Sequence, residues 1–313
     1  MKKKAQVSDR FRDFNANLTT RPWIVWGMGF RRFEKFFSTK NKVMMGLIVI
    51  IYLWTLAFDV MLASGSENYP CQFIDNSEWF DGEDSEVLQL QYDSCMPLTY
   101  YGDLLTEAGL DLLIIGLAAI ASGGMIGNDM ANKSLHLYLS RPISRVDYLI
   151  ARFIPVFLLL LLVTAIPNLI VASAMWSDDG LKTEWLTDHK WLIVNILVQG
   201  IFYSATYSII GLTFSTILKK ESMASGAFFL FVYGTSIIAE IFFAILKAFE
   251  IDGADLVLLI SVSHVLDMIS YAIFDIEYYV QAGFAPWKVD IGGTELGAVF
   301  TIIFVGCCGF MYW

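Results

Sequence analysis

Residues 123–153, GGMIGNDMANKSLHLYLSRPISRVDYLIARF, separate two long apolar runs and decide how the chain is organised. The segment is polar and basic and is too long for a tight turn. Ser134 is suited to cap a short helix, and Pro142 ends that helix because it disfavours a helical conformation at Arg141. This pattern predicts a short, interrupted helix that is attached to an apolar helix on either side.

The composition indicates a membrane protein. Hydrophobic residues make up 56% of the chain and charged residues only 17%, with a mean hydropathy of +0.57, whereas soluble domains are usually less apolar and more charged. An apolar run of about 20 residues crosses a bilayer about 30 Å thick. The runs of sufficient length are 43–63, 104–127, 149–176, 191–218, 223–249 and 296–313. The sequence therefore predicts an all-α polytopic membrane protein with about six transmembrane helices.

The region 250–295 leaves an alternative open. Residues 255–273 begin as an apolar run, but a span there would bury His264 and Asp267 near the middle of the membrane, at a cost of a few kcal/mol for the Asp alone. A re-entrant or surface helix avoids that burial. The sequence therefore favours short external or re-entrant helices before the last span.

The distribution of Lys and Arg predicts the orientation. The first 42 residues carry 11 of the 21 basic residues, whereas residues 43–132 carry none. The positive-inside rule places the amino terminus and the loop 128–148 in the cytoplasm. The loop 64–103, with nine acids and no Lys or Arg, then lies outside. We expect a multi-pass protein of the cell membrane with a cytoplasmic amino terminus.

Two segments outside the spans carry further signals. In the arm 1–42, aromatic residues alternate with Arg and Lys at near-helical spacing, which describes an amphipathic helix in contact with membrane lipid; a soluble arm that docks onto protein is the alternative. In the external loop, Cys71 and Cys95 lie where an oxidising compartment would allow a disulfide. Two free thiols remain the alternative.

The loop 128–148 resembles the cytoplasmic coupling loop of type-2 ABC exporter permeases. The resemblance follows Gly127-Asn128-Asp129, a short helix at 133–138, the stretch Leu139-Ser140-Arg141-Pro142-Ile143-Ser144-Arg145 and a hydrophobic restart at Tyr148. It is close over about 25 residues and elsewhere rests on span order and loop lengths. From the residues alone, a simple hairpin cap is the alternative to a docking element.

The resemblance implies a permease that docks on a separate ATP-binding-cassette ATPase subunit and pairs with a second permease copy or a related permease. It identifies the amphipathic helix in the arm 1–42 as the elbow helix of the family and the helix in the loop as its coupling helix. The implied docking residues are Lys133, Leu135, Leu137, Leu139, Ser140, Arg141, Pro142 and Arg145. The rival interpretation is a non-transporting membrane scaffold or assembly subunit that recruits partners through its basic arm and acidic external loop.

The chain carries no signature of an enzyme. It has no Gly-Lys dipeptide and hence no Walker A loop, so we expect ATP and Mg on the partner ATPase and no cofactor on this chain. It also lacks His-Glu-x-x-His and Cys-x-x-Cys motifs, and its three histidines are scattered, so we expect no metal site. We expect no nucleic acid partner either.

Acids in or near the spans are the candidates for the transport pathway. They are Asp59, Glu107, Asp111 and Glu240, all toward the outer side of their spans. Glu107 and Asp111 are four residues apart and share a helix face, which suits a proton or cation path. The alternative is that these acids lie at a wet outer mouth and are merely solvated.

Overall fold

The computed structural model describes residues 108–127, 129, 145–177, 191–218, 220–251, 253–282, 285–289 and 291–312, together with four helical positions of the first apolar run. The predicted elbow helix in 1–42 and the external loop 64–103 lie outside these ranges. So do residue 128 and residues 130–144 of the predicted coupling loop.

The described ranges are mainly helical. The helices are α1 (Ala108–Gly123), α2 (Arg145–Ser177), α3 (Leu192–Ile217), α4 (Glu221–Ala248), a 3₁₀ helix (Ala254–Ile260), α5 (Val262–Phe274) and α6 (Gly293–Tyr312). Two short strands, β1 (Tyr279–Ala282) and β2 (Ala285–Lys288), form an antiparallel hairpin between α5 and α6, with Val280 opposite Trp287. The sequence did not predict this hairpin.

The helices α3, α4 and α6, and the Arg145–Ile170 part of α2, are long and apolar enough to cross a membrane. The 3₁₀ helix and α5 would add one more if the pair formed a single span, and α1 contributes a shorter apolar helix, Leu110–Gly123. The predicted fold class is therefore confirmed, and the chain is an all-α polytopic membrane protein.

Helix α3 lies at the centre of the described fold and contacts α1, α2, α4, α5 and α6. Its aromatic residues Tyr203 and Tyr207 are fully buried, and the Tyr207 ring packs edge-on against Phe228 of α4. Helix α6 differs from α3, because most of its residues are exposed whereas more than half of the residues of α3 are buried. Most of α6 therefore faces away from the described core.

The 3₁₀ helix and α5 form a sharply bent pair. Their axes differ by 110°, and Ser261 caps α5 at the bend by accepting a hydrogen bond from the His264 amide. Lys247, in the last turn of α4, pairs with Asp255 at 2.9 Å, whereas Glu240 of α4 lies 3.3 Å from His264. The 3₁₀ helix therefore runs back along α4.

Helix α5 then turns toward the amino-terminal end of α3. Its residues Ser263, Asp267 and Ser270 lie successively nearer that end, as the contacts described below show. Because α3 and α4 are consecutive helices joined by a tight turn, the start of α3 and the end of α4 lie at the same end of the molecule. The end of α5 therefore lies at the same end of the molecule as the start of α3 and the end of α4.

Candidate functional site

Two polar sites lie at opposite ends of the described helices. The first, which we call the loop base, consists of Asp129, Tyr148, Arg152 and Ser215, at the two ends of the predicted coupling loop. The second is the polar face of α5, formed by Ser263, His264, Asp267 and Ser270.

In the loop base, Asp129 joins the two sides of the loop. The Tyr148 hydroxyl donates a hydrogen bond of 2.7 Å to the Asp129 carboxylate, and Arg152 forms an ion pair with the same carboxylate. The Arg152 guanidinium also lies over the Tyr148 ring, 5.1 Å from its centroid. Tyr148 and Arg152 are four residues apart on α2 and so share a face of that helix. Arg152 is buried, with only 3% of its surface exposed.

Ser215 ties the start of the same loop to α3. Its hydroxyl accepts hydrogen bonds from the amides of Ile126 and Gly127, at 3.0 and 3.1 Å, and donates one to the Gly123 carbonyl. The Gly123 carbonyl lies in the last turn of α1, where carbonyls have no partners within the helix, and the two amides lie just beyond the helix end. A buried side chain of α3 thus fixes the point at which the chain leaves α1.

The polar face of α5 accepts hydrogen bonds from residues of α3 that are one helical turn apart. The Gln199 amide donates to Ser270 at 2.6 Å, and the Tyr203 hydroxyl donates to Asp267 at 2.7 Å. One turn further along α3, Tyr207 donates to Asp111 of α1 at 3.0 Å.

The carboxylate of Asp111 joins three helices. Besides the hydrogen bond from Tyr207 of α3, its second oxygen accepts one from Ser263 of α5, also at 3.0 Å. Asp111 itself belongs to α1. This single acid therefore connects α1, α3 and α5.

The opposite side of α5 meets α4 through His264. One ring nitrogen, Nε2, lies 3.3 Å from Glu240 and 3.4 Å from Ser236. The other, Nδ1, lies 2.9 Å from the Tyr278 hydroxyl and 3.9 Å from Asp267. His264 is buried, while 46% of the Glu240 side chain is exposed. Helix α5 is thus held by polar contacts on two sides.

The structure brings two of the four predicted pathway acids to one level. Asp111 and Glu240 contact Ser263 and His264, which are consecutive residues of α5, from different helices. The alternative in which these acids are merely solvated does not describe Asp111, which accepts two hydrogen bonds. Asp59 and Glu107 lie outside the described residues.

Of the predicted docking residues, the structure describes Arg145, which is exposed at the start of α2. The others lie outside the described ranges and are Lys133, Leu135, Leu137, Leu139, Ser140, Arg141 and Pro142. Cys71 and Cys95 lie outside them as well, and their disulfide stays a prediction.

Helix α5 places His264 and Asp267 inside the protein, where their exposed fractions are only 5% and 9%. The re-entrant or surface position expected for this region stays a prediction. The protein itself supplies the polar partners, from Tyr203 on one side and from Glu240 and Tyr278 on the other. Burial is tolerated because buried polar groups that keep hydrogen bonds avoid most of the desolvation penalty.

Sequence reasoning missed several residues of both sites. Tyr203 and Tyr207 were not singled out, although with Gln199 they recur every four residues, the spacing of one helix face. Arg152 was also missed, although a lone Arg within the predicted span 149–176 is a rare residue that normally needs a partner. No sequence signal identified Ser215, because serine is common at packed interfaces between membrane helices.

Comparison with known proteins gives the family. The family described as ABC-2 family transporter protein matches residues 36–280, a range that includes the loop base and all of α5. No curated protein matches the chain. No solved structure matches it either. Since the match covers well over half of the sequence, the chain belongs to the ABC-2 family of transporter proteins and is a multi-pass permease component of an ABC transporter.

Proposed function

We propose that this permease is the transmembrane subunit of an ATP-driven exporter and couples to separate ATPase subunits through the loop 128–148. The loop base carries the proposal, because side chains on both sides of the loop bind one another there and Ser215 of α3 binds the backbone at the start of the loop. A force applied to the loop therefore reaches α1, α2 and α3 together. Rigid movement of packed helices is a common way in which proteins switch states.

In this proposal, ATP and Mg bind to the partner ATPase, whose closure pushes on the loop. Arg141 and Arg145 contact the ATPase, since exposed Arg is enriched at protein interfaces. A second permease copy or a related permease completes the substrate pathway. Membrane lipid covers the remaining apolar surface of α4 and α6, which includes Leu230 and Ile302, 71% and 70% exposed.

The distribution of exposed charge supports a cytoplasmic loop base in the cell membrane. At the end that carries the loop base, Arg145 and Lys220 are exposed with one acid, Glu221. At the opposite end, near α5 and the hairpin, the acids Asp275, Glu277 and Glu295 are exposed with one base, Lys288. Lys and Arg near the ends of spans favour the cytoplasmic side. In this orientation the amino terminus is cytoplasmic, and the 3₁₀ helix and α5 re-enter from the outer side, where Asp111 and Glu240 border the outer part of the pathway.

Co-purification with the ATPase tests the proposed coupling. A tagged chain extracted from its native membrane is expected to bring down an ATP-binding-cassette subunit. The variant Arg141→Glu with Arg145→Glu is expected to recover at least about tenfold less of it, because like charges facing each other across an interface cost several kcal/mol. Lys288→Glu is the matched control, since Lys288 is 54% exposed at the opposite end. Recovery of no ATPase, or equal recovery by both charge-reversal variants, contradicts the proposal.

A further inference from the structure

We infer that Asp129, Tyr148 and Arg152 form a clamp that closes the base of the loop 128–148 and makes the loop, α1 and α2 move as one unit. This inference rests on the proposed function, because the joint movement matters for transport only if the loop couples to the ATPase. It assigns a positioning role to Arg152 and Tyr148, which the resemblance to coupling loops did not include.

The position of the clamp in the chain gives the first argument. Asp129 lies just beyond α1, whereas Tyr148 and Arg152 lie in the first turns of α2. The hydrogen bond from Tyr148 to Asp129 spans 19 residues of sequence and encloses nearly the whole loop. Holding the two ends of a chain segment together reduces the conformational freedom of the residues between them. A closed base therefore presents the loop to a partner in a narrower set of conformations.

The burial of the charges gives the second argument. The exposed fractions of the Arg152 and Asp129 side chains are 3% and 16%. A guanidinium this deeply buried needs a countercharge, and removal of either partner takes away the ion pair that offsets the desolvation of the other. The Tyr148 ring adds a cation–π contact to Arg152, and its hydroxyl binds the same carboxylate. Each of the three side chains thus contacts the other two.

The connection to α3 gives the third argument. Ser215 binds the backbone of Ile126 and Gly127, which are three and two residues before Asp129. Packing leaves little room for the end of α1 to slide, because a Cβ added at Gly123 would collide with the Ser225 hydroxyl of α4. The clamp is therefore anchored to helices that are themselves tightly joined, so its displacement would move them together.

Hydrogen–deuterium exchange on the full-length permease in nanodiscs tests whether the clamp closes the loop. The variant Asp129→Asn with Arg152→Gln removes both charges and is expected to speed amide exchange across 128–148 by at least about tenfold, since exchange reports local opening. Tyr148→Phe is the milder variant, because it keeps the ring beneath Arg152 and loses only the hydrogen bond; we expect a smaller increase of the same sign. If both variants exchange the amides of 128–148 at the wild-type rate, the inference that the clamp closes the loop is wrong.

The matched control is the ion pair at the other end of the molecule. Asp255→Asn with Lys247→Gln removes a comparable pair between α4 and the 3₁₀ helix. It should leave exchange in the loop 128–148 unchanged. A rise in loop exchange as large as that of the clamp variants would show that the loop responds to any loss of stability, and would also overturn the inference.

Titration of the permease with its ATPase subunit tests the positioning role. The Asp129→Asn, Arg152→Gln variant is expected to bind the ATPase about tenfold more weakly, within the usual range of coupling between sites. Tyr148→Phe should bind the ATPase more weakly by a smaller factor when both proteins are compared well below their thermal transitions. Asp129→Arg with Arg152→Asp restores an ion pair and is expected to recover part of the lost affinity.

The outcomes separate the two proposals. If Tyr148→Phe speeds loop exchange but binds the ATPase as tightly as the wild type, the clamp is only structural and its positioning role is wrong. If the wild type binds no ATPase, the proposed coupling function fails, and the exchange measurement still decides whether the clamp closes the loop.

Discussion

The loop base and the polar face of α5 both bury carboxylates, but they stabilise them by different means. Asp129 in the loop base is neutralised by the Arg152 guanidinium. Asp111 and Asp267, near α5, instead accept hydrogen bonds from neutral hydroxyl groups of Tyr207, Ser263 and Tyr203. The loop base therefore combines a close Arg–Asp ion pair with a hydrogen bond from Tyr148, whereas the face of α5 relies mainly on hydrogen bonds, with His264 3.9 Å from Asp267.

This difference suits different mechanical tasks. A buried ion pair is strongly destabilised when one partner is withdrawn, so the loop base resists being pulled apart. Hydrogen bonds from neutral groups contribute less individually and can be exchanged one at a time. Helix α5 also follows a bend of 110° and is capped there by Ser261 alone. We expect the loop base to move as a rigid body and α5 to be the element that rearranges.

The largest predicted effect is at the loop base. Arg152→Met leaves the Asp129 carboxylate without its countercharge and should lower the free energy of unfolding by about 3–5 kcal/mol. Adding Asp129→Leu removes the remaining charge and should recover most of that loss. Reversible unfolding in detergent micelles measures both. A loss below about 1 kcal/mol for Arg152→Met would show that the ion pair is not what holds the loop base together.

A second prediction concerns the close approach of α1 and α3, which carries the loop base. A Cβ at Gly211 of α3 would collide with Ser122 of α1, so Gly211→Ala should destabilise the protein by about 1–3 kcal/mol through overpacking. Gly226→Ala in α4 is the matched control, because no atom lies within 4 Å of a Cβ there. It should be neutral or slightly stabilising, since alanine favours a helix. Equal effects of the two substitutions would contradict the tight contact.

The third prediction tests the hydrogen bonds to α5. Tyr203→Phe removes the hydroxyl that donates to Asp267 and should cost about 1–3 kcal/mol, less than the loss of Arg152. Tyr233→Phe in α4 is the matched control, because Tyr233 is 40% exposed. Thermal unfolding monitored by intrinsic fluorescence compares the two. A loss for Tyr203→Phe as large as that for Arg152→Met would remove the distinction between the two regions.

The sequence predicted those parts of the fold that depend on local hydropathy. The apolar runs 191–218 and 223–249 correspond closely to α3 (Leu192–Ile217) and α4 (Glu221–Ala248), because a buried or lipid-facing helix needs an unbroken apolar stretch whatever its neighbours are. The family also followed from a local motif in the loop 128–148. The apolar helices and the loop motif can each be identified from one continuous segment of the sequence.

The sites were harder to predict because their partners are distant in sequence. Asp267 looked like an obstacle to burial, since its partner Tyr203 lies 64 residues earlier. Asp111 was grouped with Glu107 on one face of its helix, whereas Ser263, 152 residues later, is the residue found to bind it. Polar residues in an apolar run therefore indicate that a partner exists, but the partner itself appears only when the helices are packed.

The smallest predicted effect is at the hairpin, whose ion pair is exposed and so contrasts with the buried pair of the loop base. Hydrogen bonds from Lys288 and Tyr279 lower the pKa of the Glu277 carboxyl from its ordinary value of 4.5. Since the pKa of Glu277 is lower in the folded protein than in the unfolded chain, Glu277 stabilises the fold fully above about pH 4.5 and loses that contribution as the pH falls through the folded pKa.

The contribution of Glu277 is at most about 1 kcal/mol, because the side chains of Glu277 and Lys288 are both more than half exposed and solvent screens the pair. Thermal unfolding from about pH 3 to pH 7 should therefore show a slightly steeper acid loss for the wild type than for Glu277→Gln, and about 1 M salt should abolish the difference. A difference that persists in high salt would mean that Glu277 is shielded from solvent, and that the end carrying the hairpin also depends on buried charge.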